Sequence, residues 1–383
     1  MESPLELSSS LFVCRTWHAT IVNDATLWAT ITLNSRICGH LSSYPPRDGS
    51  QNEELARIMA FYETCLHRSK SALLRITIDL ETFCKYHGRS PVPMDPRLST
   101  LFLERTREHA SRWKEFVWRV ACTHWTPQDI LKCLPPKFPV LQQLTISGLF
   151  WRKLTGPNEF QFPICPNLQK MKLIDFWDDN DEKDSTLFQQ GEFLSVQDLT
   201  LGSWYWRTVV LRYVANFQNI HTLTLFCFTE KISGNYGINS SVHFALSQLR
   251  LLRLVGWIPN ELLSSIKSPD KLTVELGNFF RPGGVSLDSV GTLSGTEIAR
   301  KMTTLHLEWP VLPIKEALLS RVLELLKDAL CLEALYLSPQ MEKMLGHELE
   351  EFKGTHSRSF SICTNGVLEF DVLHALRYNV HGS

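Results

Sequence analysis

One spacing recurs along this chain: apolar-x-x-apolar-x-apolar. It appears at Leu141, Leu144, Ile146; at Leu168, Met171, Leu173; at Val196, Leu199, Leu201; at Ile220, Leu223, Leu225; and at Leu249, Leu252, Leu254. Met302, Leu305, Leu307 and Leu332, Leu335, Leu337 repeat it, and Val274 and Leu276 keep only its second half. Trp113, Phe116, Trp118 and Leu73, Ile76, Ile78 extend it upstream. The last two apolar positions alternate, so they share one face of a short strand. Each strand must then return over a long connection, and several connections read as helices. Residues 205–216 are apolar at Val209, Val210, Tyr213 and Val214, and 259–267 open with a proline suited to a first helical turn. Residues 314–330 carry a stripe through Ala317, Leu318, Val322, Leu325 and Leu326. Thr126-Pro127 and Ser338-Pro339 supply N-cap and first-turn signals.

From Trp113 to Leu332 eight steps cover 219 residues, a mean of about 27, inside the period of leucine-rich repeats. Strands from successive repeats stack in parallel into one sheet, and the array lengthens without needing a separate core for each part. The expected fold is α/β: a leucine-rich-repeat solenoid of parallel strands plus helices, preceded by a short helical segment. The expected organisation is a helical segment over 1–33, a helical linker with the first irregular repeats over 34–112, and the solenoid with C-terminal helices over 113–383. No repeat carries the usual Asn after its third apolar residue. Trp204, Phe228 and Trp257 stand three residues past it, with Phe176-Trp177 and Phe150-Trp151 at or beside the same place. Alternation and the tight turn point that position inward, so these rings are expected in the core.

Composition narrows the function classes. Net charge is −1, with 39 basic and 40 acidic residues in 383. There is no basic excess to neutralise a phosphate backbone, so no nucleic-acid partner is expected. No run of 18 apolar residues occurs, so no membrane span is expected. The first residues, Met1-Glu2-Ser3-Pro4, lack the basic stretch of a secretory signal. The expectation is an intracellular protein, cytoplasmic or nuclear. Ten cysteines are scattered without a CxxC pair, which fits buried free thiols better than a zinc knuckle or a disulfide scaffold.

The chain offers no catalytic constellation. It lacks GxxxxGK[ST], a GxGxxG, GxSxG and HExxH; His347-Glu348-Leu349-Glu350-Glu351 fails at the second histidine. Arg281-Pro282-Gly283-Gly284 has no following Lys or Ser to make it a phosphate site. The acidic stretch 175–184 lacks EF-hand spacing and glycine, and reads as a solvated loop sooner than a cation site. Cys84 with His87, or Cys122 with His124, is half of a metal site without a second half. No catalytic, cofactor or metal residue is therefore assigned, and no enzymatic activity is expected.

Val13, Trp17 and Ile21 are four apart and share one helical face; Leu27-Trp28 and the alternating Ile31-x-Leu33 follow. Val13-Cys14-Arg15-x-Trp17, about ten residues, then Leu27-Trp28 resembles the C-terminal half of an F-box, above all in F-box proteins of mushroom-forming fungi. The run from Leu66 through Arg68-Ser69-Lys70-Ser71-Ala72-Leu73 to Ile76 is similar to a second segment of that family, with Ala72 where proline is usual. The resemblance is specific over about residues 10–33 and 60–80. In that family irregular leucine-rich repeats follow the F-box. Ser3-Pro4-Leu5-Glu6-Leu7 does not match the family's first F-box helix, so an F-box truncated at its N-terminus is expected. The resemblance implies partners: a Skp-type adaptor and the cullin scaffold of an SCF-type cullin–RING ubiquitin ligase. It implies Val13, Cys14, Trp17, Leu27 and Trp28 as the adaptor-binding residues. It also implies a target protein held for ubiquitin transfer.

The strand residue between the second and third apolar positions faces the opposite, open side of the sheet. These residues are Thr145, Lys172, Thr200, Thr224, Arg253, Glu275, His306 and Tyr336. On successive strands they form a ladder, and the open faces of solenoids are extended binding surfaces. This ladder is the expected target-binding face.

Overall fold

A computed structural model describes residues 15–34, 50–79, 96–120, 133–148, 162–174, 193–203, 214, 216–227, 244–256, 258, 260–267, 269–277, 288–308, 315–355 and 359–364. The chain forms two compact units, residues 1–195 and 196–383. The fold is α/β, and within each unit the paired ladder strands run parallel.

The first unit holds helix α1 (Arg15–Asn23), strand β1 (Thr30–Asn34), α2 (Ser50–Arg68), β2 (Leu74–Asp79), α3 (Pro96–Arg107), β3 (Trp113–Val120), β4 (Gln143–Gly148) and β5 (Lys170–Ile174). Its strands lie side by side in sequence order, as a repeat array requires. Phe116 and Trp118, Leu144 and Ile146, and Met171 and Leu173 are all at most 2% exposed. Their opposite faces carry mostly polar residues, with Val117 of β3 the buried apolar exception, which is period-2 patterning.

α2 places Tyr62, Cys65 and Leu66 on one buried face. Tyr62 meets Phe102 of α3 edge to face at 4.8 Å, and its hydroxyl donates to the Thr32 carbonyl at 2.8 Å. α2 runs into a turn in which Lys70, at a φ of 47°, is left-handed. Arg112 holds this turn. Its guanidinium donates to Ser69 Oγ and to the carbonyls of Lys70 and Ala72.

The second unit holds β6 (Asp198–Ser203), β7 (Thr222–Cys227), β8 (Phe244–Ala245), β9 (Leu251–Gly256), α4 (Asn260–Ser265), β10 (Ile266–Lys267) and β11 (Leu272–Gly277). There follow α5 (Asp288–Leu293), α6 (Glu297–Lys301), β12 (Met302–Glu308), α7 (Lys315–Asp328), β13 (Ala334–Leu337), α8 (Pro339–Thr355) and β14 (Ser361–Thr364). The ladder order is β6-β7-β9-β11-β12-β13-β14, and β8 pairs with β10 separately. α7 packs against α5 and α8, and its Val322, Leu325 and Leu326 are buried as the stripe predicts. The expected helix over 259–267 is α4, shortened by β10. Pro339 opens α8, but Ser338 does not cap it. The Ser338 hydroxyl is buried with no hydrogen-bond partner.

The apolar triads are the core of both units, with three amendments. Leu73 is 46% exposed, and Leu74 is buried in its place. The β2–β3 register slips between Leu74 and Arg75, so Leu74 opposes Trp113 despite standing only two residues before Ile76. The same slip at Leu272 and Thr273 puts Leu272 opposite Met302 and completes the half repeat at Val274. Trp28, Ile31 and Leu33 form a further triad, with Ile31 and Leu33 fully buried. β1 pairs in register with β2, so the strand assigned to the helical segment 1–33 is the first strand of the ladder.

The aromatic positions 150–151, 176–177, 204, 228 and 257 lie outside the described residues. So do the acidic stretch 175–184, Arg281–Gly284, Cys84, His87, Cys122, His124 and Thr126-Pro127, as does nearly all of the expected helix 205–216.

Candidate functional site

Register decides which side chains can act together. In the first unit Thr32 pairs with Thr77, Val117 with Thr145, and Thr145 with Lys172. Thr77 pairs with Val117, so Thr145 and Lys172 lie on one row with three residues that the sequence reading did not include. Two ion pairs flank it, Arg75–Glu115 at 3.6 Å and Arg119–Asp79 at 3.3 Å. They are half exposed, so each contributes at most about 1 kcal/mol.

In the second unit Thr200, Thr224, Arg253, Glu275, His306, Tyr336 and Cys363 follow one another in register across seven strands. Six of these were expected and Cys363 was not. Parallel strands stand about 4.8 Å apart, so neighbours on the row can touch. Arg253 Nε donates to Glu275 Oε2 at 2.5 Å. The Arg253 side chain is 36% exposed and that of Glu275 9%. The His306 and Tyr336 rings stack at 4.4 Å with 17° between their planes.

An open position was expected for every member of the row. Thr200, Thr224 and Glu275 are instead buried. Glu275 lies under its arginine. The two threonines lie beside Phe226, which stands two residues past Thr224 on the same face and sets its fully buried ring over Gly202. The accessible part of the row therefore runs from Arg253 to the half-buried Cys363. It is a compensated ion pair, a two-ring stack and a free thiol. Among the described residues no three of His, Cys, Asp or Glu cluster as metal ligands.

Burial pushes the His306 pKa below its ordinary 6.5; Glu275 opposes the shift and Arg253 adds to it. His306 is thus neutral in the fold at pH 7. A depressed histidine stabilises the fold above its unfolded pKa and loses that contribution as pH falls through the folded value. The urea midpoint should therefore drop between pH 7.5 and 5.5, and drop less in His306→Gln. Equal losses in both proteins would rule this out.

The adaptor-binding candidates fare differently. Val13 and Cys14 lie outside the described residues, as does the Trp17 side chain, although its backbone is in α1. Leu27 is half-buried. Trp28 is buried, 2% exposed. Its Nε1 donates to the Ile21 carbonyl at 2.6 Å, and the Arg68 guanidinium stacks on its ring at 4.5 Å. The two segments that carry the F-box resemblance thus meet at Trp28 and Arg68. Sequence reading missed Arg68 and Arg112, since nothing local marks a guanidinium that works across 40 residues.

Cys65 and Cys165 are buried free thiols, both pushed up to about 12 by burial, so neither is a nucleophile at neutral pH. Among the described residues no helix is long and apolar enough to cross a membrane. No protein-family model matches this chain, and no curated protein is detectably similar to it.

Proposed function

We propose that this chain is a protein-recognition subunit, with the second unit's row as the surface that holds a target. The observation that carries the reading is the in-register alignment of Arg253, Glu275, His306 and Tyr336 on adjacent strands. Such a row offers charge, hydrogen bonding and ring surface within about 14 Å, and Arg and Tyr are enriched among interface hot spots. On the resemblance of 10–33 and 60–80 to F-box proteins, the reading we propose makes this subunit the target receptor of an SCF-type cullin–RING ubiquitin ligase. In that role it performs no chemistry. It raises the effective concentration of a target near a ubiquitin-carrying enzyme.

The test is co-expression with the host's Skp-type adaptor. A one-to-one complex on size exclusion is expected. Well-folded chain that elutes alone would remove the ligase assignment.

A second reading has a specific observation in its favour. Ile31 and Leu33 fill the apolar positions of the first ladder strand and Trp28 is buried just ahead of it, so the F-box-like segment serves as an N-terminal cap. A repeat array needs one, because its first strand otherwise exposes an apolar edge. On this reading the chain is a scaffold unconnected to ubiquitin, and it forms no adaptor complex.

A further inference from the structure

Glu275 stands in register between a permanent cation and a titratable one. Arg253 of β9 is on one side and His306 of β12 on the other, and strands about 4.8 Å apart bring both within reach. Arg253 Nε donates to Oε2 of the carboxylate. The Glu275 side chain is 9% exposed, so water screens it little. On the far side the half-buried His306 stacks on Tyr336 of β13 at 4.4 Å, with Cys363 of β14 beyond. The level before this row holds Thr273, Thr304 and Ala334, all uncharged. The level after it holds Gly277 and a second acidic residue, Glu308 of β12 itself.

We propose that His306 is an acid switch on this row: on gaining a proton it takes a share of the Glu275 carboxylate and loosens that carboxylate's hold on Arg253. The charge balance argues for it. With His306 neutral, Arg253 and Glu275 cancel. A proton on His306 sets two cations against one carboxylate. An imidazolium has two donor nitrogens and no acceptor, and a half-buried one needs a nearby anion to offset its lost hydration. Glu275 is the carboxylate level with it on the adjacent strand, and the Tyr336 ring face favours a cation on the other side. Burial holds the His306 titration below its ordinary 6.5, against the pull of Glu275 and with the push of Arg253. Arg253, Glu275 and His306 together therefore carry no net charge at pH 7 and a positive one in acid.

The switch belongs to the row itself and holds whether or not the row binds a target. The full chain is titrated by NMR from about pH 8 to about pH 5, across the histidine range, following the His306 imidazole and the Arg253 Nε–H. Glu275→Gln should lower the His306 pKa by at least about 0.5, and Arg253→Gln should raise it by a similar amount. Glu308→Gln should move it less than Glu275→Gln does. In the unaltered chain the Arg253 Nε–H should shift, and exchange faster with water, along the His306 titration curve. His306→Gln should abolish that response. Circular dichroism melts confirm that each variant folds; if Glu275→Gln does not, the Nε–H titrations of the unaltered chain and of His306→Gln decide the matter. An Arg253 Nε–H that ignores the His306 titration overturns the proposal. So does a His306 pKa that Glu275→Gln leaves in place, or that Glu308→Gln lowers more, since another group then holds the proton.

Discussion

Trp28→Ala should cost the first unit about 3–5 kcal/mol, the usual range for emptying a buried tryptophan site. Three contributions are lost together. The indole is 2% exposed and packs in the turn two residues ahead of β1. Its Nε1 satisfies the Ile21 carbonyl and so ties α1 to the strand. Its ring also carries the Arg68 guanidinium, a contact worth about 0.5–2 kcal/mol according to exposure. Trp28→Phe retains a ring and loses the indole donor, so it should cost less. The measurement is hydrogen exchange of backbone amides in 15–34 and 50–79, because a local loss appears there first. Protection that survives Trp28→Ala would show that the indole is no part of the core.

The same variant separates the two readings of the N-terminal segment. If the segment only caps the repeats, Trp28→Ala loosens α1, β1 and α2 and has no binding phenotype to lose. If the segment also grips an adaptor, the grip must come from side chains other than Trp28, because a ring at 2% exposure offers almost no surface. Trp28→Phe should then leave adaptor binding intact while lowering stability. The family resemblance at Trp28 is therefore explained by packing on either account.

The fold was legible because burial in a parallel repeat is written in period 2, and Leu144, Ile146, Leu223 and Leu225 obey it without exception. Leu74 and Leu272 escaped notice because a register slip changes the spacing from three to two, and a slip is a property of the paired strand. Ile31 and Leu33 alternate as a strand does, but Trp28 stands among residues whose spacing marks a helix and not a repeat, so its place in a triad is not legible. The row of candidate residues was legible for the same reason as the core, being its alternate set. Their exposure was not. Whether Thr224 meets water depends on Phe226 beside it and Gly202 across the ladder, and no single-strand pattern encodes a cross-strand neighbour. The Arg253–Glu275 pair lies between the two. Opposite charges at equivalent positions of adjacent repeats announce it once the register is known.

Gly202→Ala should destabilise the second unit by about 1–3 kcal/mol, the usual cost of overpacking a filled site. Gly202 stands opposite Phe226 in the β6–β7 register, and a β-carbon there would fall inside the van der Waals envelope of the Phe226 ring. The ring is fully buried and has no solvent to swing into. Only Gly256 and Gly295 have positive φ among the described glycines, so position 202 needs glycine for space and not for backbone freedom. Phe226→Leu should therefore relieve the cost, and a double-mutant cycle in urea should give a coupling of at least about 1 kcal/mol. Additive losses would mean that the ring does not rest on Gly202. The coupling also bears on function. Phe226 closes the Thr200–Thr224 corner of the row, so a partner that binds this face must meet it at Arg253 and beyond.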